Sequence, residues 1–262
     1  MTNEMADQLV DRATAQNPTL SSYTQLNRFN RGNIHFGHTI MNMQSTGFHT
    51  WGFVVYRSTC DDDAAWERFL EHMKQATVDK LVRRGQSDLL EQYLSWTIFP
   101  DSSLDDQLGD AQTTHINQKH RFRQTFLQWS QDRSVERDGP GADHVDTQHL
   151  PRFNLCVLVD GTCLETFRRW ERWSEAGMVG MEPLVAVVLL DARCDEQGSG
   201  STGYDDIEGC TREYTGWMYA DVGSLPGLYN TLHYQDLAGG YKEYARPPLV
   251  YPGHQHGETV LS

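Results

Sequence analysis

Residues 51–85 read WGFVVYRSTCDDDAAWERFLEHMKQATVDKLVRRG. Phe53, Val54, Val55 and Tyr56 are aromatic or β-branched, and they predict a strand over Trp51–Thr59. Asp61, Asp62 and Asp63 follow, and acids belong in the first turn of a helix. Trp66, Phe69, Leu70, Met73 and Leu81 then recur near helical spacing. They predict an amphipathic helix of about five turns. It closes near Arg83–Gly85, because glycine suits the position just past a helix end. A strand that runs straight into a helix puts α and β elements in one unit.

Further along the chain the same reading gives four more strands. Tyr93–Phe99 is the second, stopped by Pro100. A helix over Thr113–Ser130 carries Ile116, Phe122, Phe126 and Trp129 on or near one side. Phe153–Val159 is the third strand; Asp160–Gly161 ends it, and a helix follows through Leu164, Phe167 and Trp170. Leu184–Leu190 is the most apolar run in the chain and fits a strand covered on both faces. Gly216–Val222 is the fifth strand, before a short helix with Leu225, Leu228, Tyr229 and Leu232. This order matches an α+β ferredoxin-like sandwich, βαβ-(α)-βαβ, with a C-terminal β-α extension. A small doubly wound α/β sheet is the alternative.

One domain is therefore expected over residues 48–235, with a charged, Gly- and Pro-containing mobile loop at 131–151. Residues 1–47 read as a polar arm and loop, and Gly32 and Gly37 argue against a helix there. Residues 236–262 read as a coil tail, Asp101–Asp110 as an acidic loop and residues 195–203 as a flexible loop.

The net charge of −14 argues against nucleic-acid phosphates and anionic membranes as partners. No stretch of 18 apolar residues exists to span a bilayer. The first twenty residues carry acids where a signal peptide needs bases, and they lack its apolar core. The five cysteines are odd in number, widely spaced and without a CxxC. Reduced thiols in a cytoplasm fit that pattern.

Three segments, WGFVVYRSTCDDDAAWERFLEHM (51–73), FNLCVLVDGTCLETF (153–167) and IEGCTREYTGWMYADVGSLPGLYNTL (207–232), together resemble a large group of uncharacterised ascomycete fungal proteins. The resemblance spans roughly residues 48–235. It implies a fungal source and one compact domain, and it implies no catalytic residues.

Arg57 is the most informative single residue. Strand alternation puts Trp51, Phe53, Val55 and Arg57 on one side, and three of these four favour burial. A guanidinium there needs a carboxylate, an anionic ligand or water. The plainer reading is a snorkelling side chain or an ion pair with Asp160 or Glu165. Trp217, Tyr219 and Asp221 share a strand face, an aromatic wall that suits a pocket or a core equally. The candidate ligand-binding set is Arg57, Tyr56, Trp51, Trp217, Tyr219 and Asp160.

Other polar clusters read more plainly. His35 and His38, His115 and His120, His144 and His149, and His254 and His256 form no HExxH or Cys/His pairing, so no metal is expected. Asp101, Asp105, Asp106 and Asp110 lack the closing Glu of a calcium loop. Cys156 and Cys163 flank Asp160; Cys163 stands at a helix start, but packed thiols are the simpler reading. GSGSTG at 198–203 is not a phosphate loop.

Two functions follow. One is a small-molecule binder, or a cofactor-independent cyclase, isomerase or dehydratase acting on a fungal metabolite. The other is a non-catalytic interaction module, with a second copy of the chain among its partners. A binder built on Arg57 leaves that residue without a protein carboxylate. An interaction protein pairs Arg57 internally and exposes an apolar patch elsewhere.

Overall fold

Val54–Arg57 forms β1, and all four of its side chains are buried. The computed structural model describes residues 36–46, 50–59, 62–99, 114–131, 150–194, 202–233, 244–253 and 257–260. The acidic loop at Asp101–Asp110, most of the 131–151 segment, and His35, His144, His149, His254 and His256 lie outside the described residues.

From β1 the chain enters helix α2, Asp63–Arg83, whose N-cap Asp62 accepts a hydrogen bond from the Ala65 N–H. Trp66, Phe69, Leu70, Met73 and Leu81 are buried on its inner face, as their spacing predicts. Gly85 follows in the left-handed region at φ 65°. A single helical turn, α3 (Ser87–Leu90), and a 3₁₀ turn (Glu91–Tyr93) lead into β2, Thr97–Phe99. Of the predicted second strand only Thr97–Phe99 is regular: Tyr93 belongs to the 3₁₀ turn, and Leu94 makes an isolated parallel bridge to Trp51. Helix α4 spans Thr114–Gln131. One further turn, α5 (Pro151–Asn154), precedes β3, Leu155–Val159, and helix α6, Gly161–Glu175. β4 is Ala186–Asp191, buried along its whole length. β7 is Trp217–Asp221, and α7 is Leu225–Thr231.

Six strands make one mixed sheet in the order β2-β1-β3-β4-β7-β8, with β8 at Val250–Tyr251. β1 runs parallel to both β2 and β3; β3–β4 and β4–β7 are antiparallel; β7–β8 is parallel. The chain is thus mixed α and β, in line with the α+β class. Its pairing departs from the expected ferredoxin-like pattern. In a split βαβ unit another strand separates the two partners, whereas β1 and β2 are direct neighbours here. The helix after β3 returns the chain antiparallel, to the adjacent β4. The number and types of the main elements follow from apolar periodicity, but strand order is a property of long-range pairing.

Three local expectations are corrected. Residues 37–46 form helix α1 (Gly37–Thr46), where a loop was expected. Gly37 stands at its first position and so breaks no interior turn, and Phe36, Ile40 and Met43 bury one face. Thr202–Ile207 (β5) and Cys210–Arg212 (β6) make a separate two-stranded hairpin, so the 195–203 stretch ends in a strand. The tail contributes β8 as well as buried Tyr244, Ala245 and Val260, where coil was expected. The core therefore extends beyond residues 48–235 at both ends. No described helix is long and apolar enough to cross a membrane.

Candidate functional site

Sheet register decides which of the candidate residues can meet. Tyr56, Leu158, Val188 and Tyr219 stand in one cross-strand row, so Tyr56 and Tyr219 point to the same face. Trp217 lies two residues before Tyr219 on that face, and their rings meet edge-on at 5.3 Å. Tyr56 stacks on Phe99 at 4.9 Å and also meets Phe122 of α4. Trp51 and Phe53 lie on the opposite face, both against Tyr229 of α7. Arg57 shares that face, above the ring of Trp66 in α2. The six candidates therefore divide between two sides of the sheet and line no common pocket. Asp160 stands at the strand end nearest Tyr219. Burial, and next the Asp160 carboxylate, push the Tyr219 phenol above its ordinary value.

Arg57 has the internal partner that disfavours a ligand role. Its Nη1 lies 2.5 Å from Asp63 Oδ1, and its Nε donates to the Thr59 carbonyl. The partner is Asp63 rather than Asp160 or Glu165. Asp160 caps α6 by accepting the Cys163 N–H at 2.8 Å, and Glu165 pairs with Arg172 at 3.0 Å. Arg57 Nη2 is buried without a hydrogen bond among the described residues. The helix starts beside Arg57 already hold carboxylates, however: Asp62 on α2 and Asp160 on α6.

The thiols are packed. Cys156 and Cys163 are fully buried, and burial pushes both well above the ordinary thiol value. Burial disfavours the thiolate form in both, in keeping with packed thiols. Among the described residues no group of three or more His, Cys, Asp and Glu side chains could hold a metal ion.

Trp217 leads to a polar site. It forms part of the wall of a cavity of about 310 Å³ between α4 and the β5–β6 hairpin. Lys119 and Arg123 of α4 line the cavity with Glu208, Arg212, Thr215 and Trp217. The Lys119 Nζ sits 4.1 Å over the Trp217 ring and donates to Glu208 Oε1 at 2.6 Å and Oε2 at 2.8 Å. Arg123 Nε donates to the Asp191 carbonyl at 2.9 Å and its Nη2 to the Gly216 carbonyl at 3.1 Å. A side chain at Gly216, φ 77°, would lie 2.5 Å from Arg123 Nη2, so the close approach of α4 to this bend requires glycine. Tyr214 donates to Asp191 Oδ2 at 2.6 Å, which anchors the bend from below. Burial, together with that carboxylate, holds the Tyr214 phenol well above its ordinary value.

Lys119, Arg123 and Glu208 are absent from the set drawn from sequence. A signal for the first two exists. Lys119, Phe122, Arg123 and Phe126 follow the i, i+3, i+4, i+7 pattern, so two cations share the apolar face of α4, and all four are buried. No comparable signal marks Glu208, whose position depends on the hairpin.

A second cavity of about 500 Å³ lies between α6 and the tail, lined mainly by apolar groups including Pro183, Leu184, Val250 and Val260. Beside it the loop after α6 exposes Met178 (54 %), Val179 (102 %) and Met181 (83 %).

Comparison with family models, curated protein sequences and solved structures finds no match to any of them.

Proposed function

We propose that the protein binds a small molecule bearing an anionic group, in the cavity between α4, the β5–β6 hairpin and Trp217. One observation carries this reading. In a chain with a net charge of −14, three cations, Lys119, Arg123 and Arg212, line the cavity against one carboxylate, Glu208. The wall supplies charge for the anion beside apolar groups, the usual makings of a ligand pocket. Arg57, Tyr56 and Trp51 serve the fold in this reading, and Trp217 is the retained ligand-binding candidate. A cofactor-independent reaction on a fungal metabolite would use the same cavity, with Lys119 and Glu208 as its proton-carrying groups.

Native mass spectrometry of the full chain, purified gently from a fungal host, tests the proposal. The expected result is a mass excess equal to a small molecule, lost in Trp217→Ala. A clean apo mass, or an excess that Trp217→Ala retains, would overturn the reading.

The exposed Met178, Val179 and Met181, together with the internally paired Arg57, favour an interaction module as the second reading. A dimer mass, or a mass with a second protein, in the same spectrum would support it.

A further inference from the structure

Glu208 and Gly209 connect β5 to β6 as a two-residue turn, because Ile207 pairs directly with Cys210. Both turn residues have positive φ, 52° at Glu208 and 82° at Gly209. A turn of that kind favours Asn-Gly or Asp-Gly, in which a short polar or absent side chain tolerates the left-handed backbone. Glutamate is a poor choice for the backbone. What its longer side chain adds is reach: both carboxylate oxygens meet the Lys119 ammonium over the Trp217 ring.

A carboxylate of the chain itself thus occupies the place where a ligand anion would be held. We propose that Glu208 is a resident stand-in, displaced from Lys119 when the carboxylate of a small organic acid enters the cavity. This rests on the binding reading given above. Displacement leaves the six-stranded sheet untouched, since β5 and β6 form a two-stranded sheet of their own. The body of the hairpin also stays in place. Arg246 holds it through the carbonyls of Asp205 at 2.8 Å, Arg212 at 3.1 Å and Cys210 at 3.2 Å, none of which involves Glu208. Only the Glu208 side chain has to turn outward, and water then solvates its carboxylate.

The test is calorimetric titration of the full chain with benzoate. Glu208→Asn removes the competing charge and suits the turn, and Glu208→Gln removes the charge at equal length. Both are expected to bind benzoate at least tenfold more tightly than the wild type. Adding Lys119→Met to Glu208→Asn is expected to abolish that gain. Equal affinity in all forms, no binding to any form, or a gain that survives Lys119→Met would overturn the proposal. The two readings fail separately. If the wild type retains a metabolite whose affinity Glu208→Gln leaves unchanged, displacement is wrong and binding stands. If the wild type is a clean apo protein but the tenfold gain for benzoate appears, displacement stands and the reading that the chain carries a natural ligand falls.

Discussion

Arg57 is buried, but the carboxylate that pairs with it is not: Asp63 is 86 % exposed. The pair spans the boundary between core and solvent, and water can replace Asp63. Loss of Asp63 is therefore expected to cost less than about 1 kcal/mol. Arg57→Ala is expected to cost more, roughly 1–3 kcal/mol, because it also strips the guanidinium from Trp66 and leaves the Thr59 carbonyl without its donor. Urea unfolding of Asp63→Ala and Arg57→Ala measures both, and equal losses would show that the ion pair alone matters. Asp221 calls for a different test. Burial, and to a smaller extent Glu182, push its carboxyl up to about 6 from 3.8, against the Val185 and Gly223 N–H groups and Lys80. The folded state therefore holds this proton more tightly than the unfolded chain. Its contribution is full below about pH 4 and is lost as pH rises to about 6, a loss of roughly 2–3 kcal/mol at most. Asp221→Asn keeps a carbonyl acceptor for the two N–H groups and removes the charge. It is expected to raise Tm by roughly 3–8 °C at pH 7.5 and to leave it nearly unchanged at pH 4. Equal shifts at both pH values would contradict burial of the charge as the cause.

At the scale of elements, Asp160 is more informative as a cap than as a ligand residue. Its Oδ1 accepts the Cys163 N–H at the start of α6, one of the donors a helix leaves unpaired. Asp160→Ala is expected to destabilise by about 1 kcal/mol, and Asp160→Asn by clearly less, in chemical denaturation. A loss in Asn as large as in Ala would point instead to the carboxylate charge. The strand end and the helix start on either side of Asp160–Gly161 are legible in the sequence, whereas the capping role of Asp160 is not part of that reading. The long helices and the buried strands were legible because burial writes a period of 3.6, or an unbroken apolar run, into the chain. Helix α1 was hidden because its buried face consists of Phe36, Ile40 and Met43 among polar neighbours. The hairpin was hidden because TGYDDIEGCTR (202–212) alternates little and is largely exposed. The candidate site suffered most. Alternation places Trp51 and Arg57 away from Tyr56 and Trp217, which follows from numbering and register once the pairing is known. The cavity itself needs α4 and the hairpin, two elements separated by some 70 residues of chain and brought together only by the fold.

At the scale of the whole molecule, the open question is where the folding unit ends. Composition places the boundary near residue 235, yet the chain returns to the core afterwards. Val250 and Val260 are buried in the main cluster, and β8 closes one edge of the sheet by pairing with β7. The Tyr244 hydroxyl accepts the Thr215 N–H at 3.1 Å, and Arg246 holds the hairpin. Burial of Tyr244, Val250 and Val260 contributes roughly 5–8 kcal/mol as an upper estimate. That is comparable with the roughly 5–15 kcal/mol that separates a folded domain from its unfolded state. A chain ending at residue 235 would also open the β7 edge, leaving unpaired backbone groups as a template for association. Such a chain is expected to lose its cooperative urea transition by far-UV circular dichroism, and to self-associate in sedimentation. If it instead unfolds cooperatively at the wild-type midpoint, the tail packs onto a domain already complete without it. In that case the cavity beside Trp217 should keep its affinity for benzoate in Glu208→Asn even when Arg246 is gone, since the hairpin would need no support from the tail.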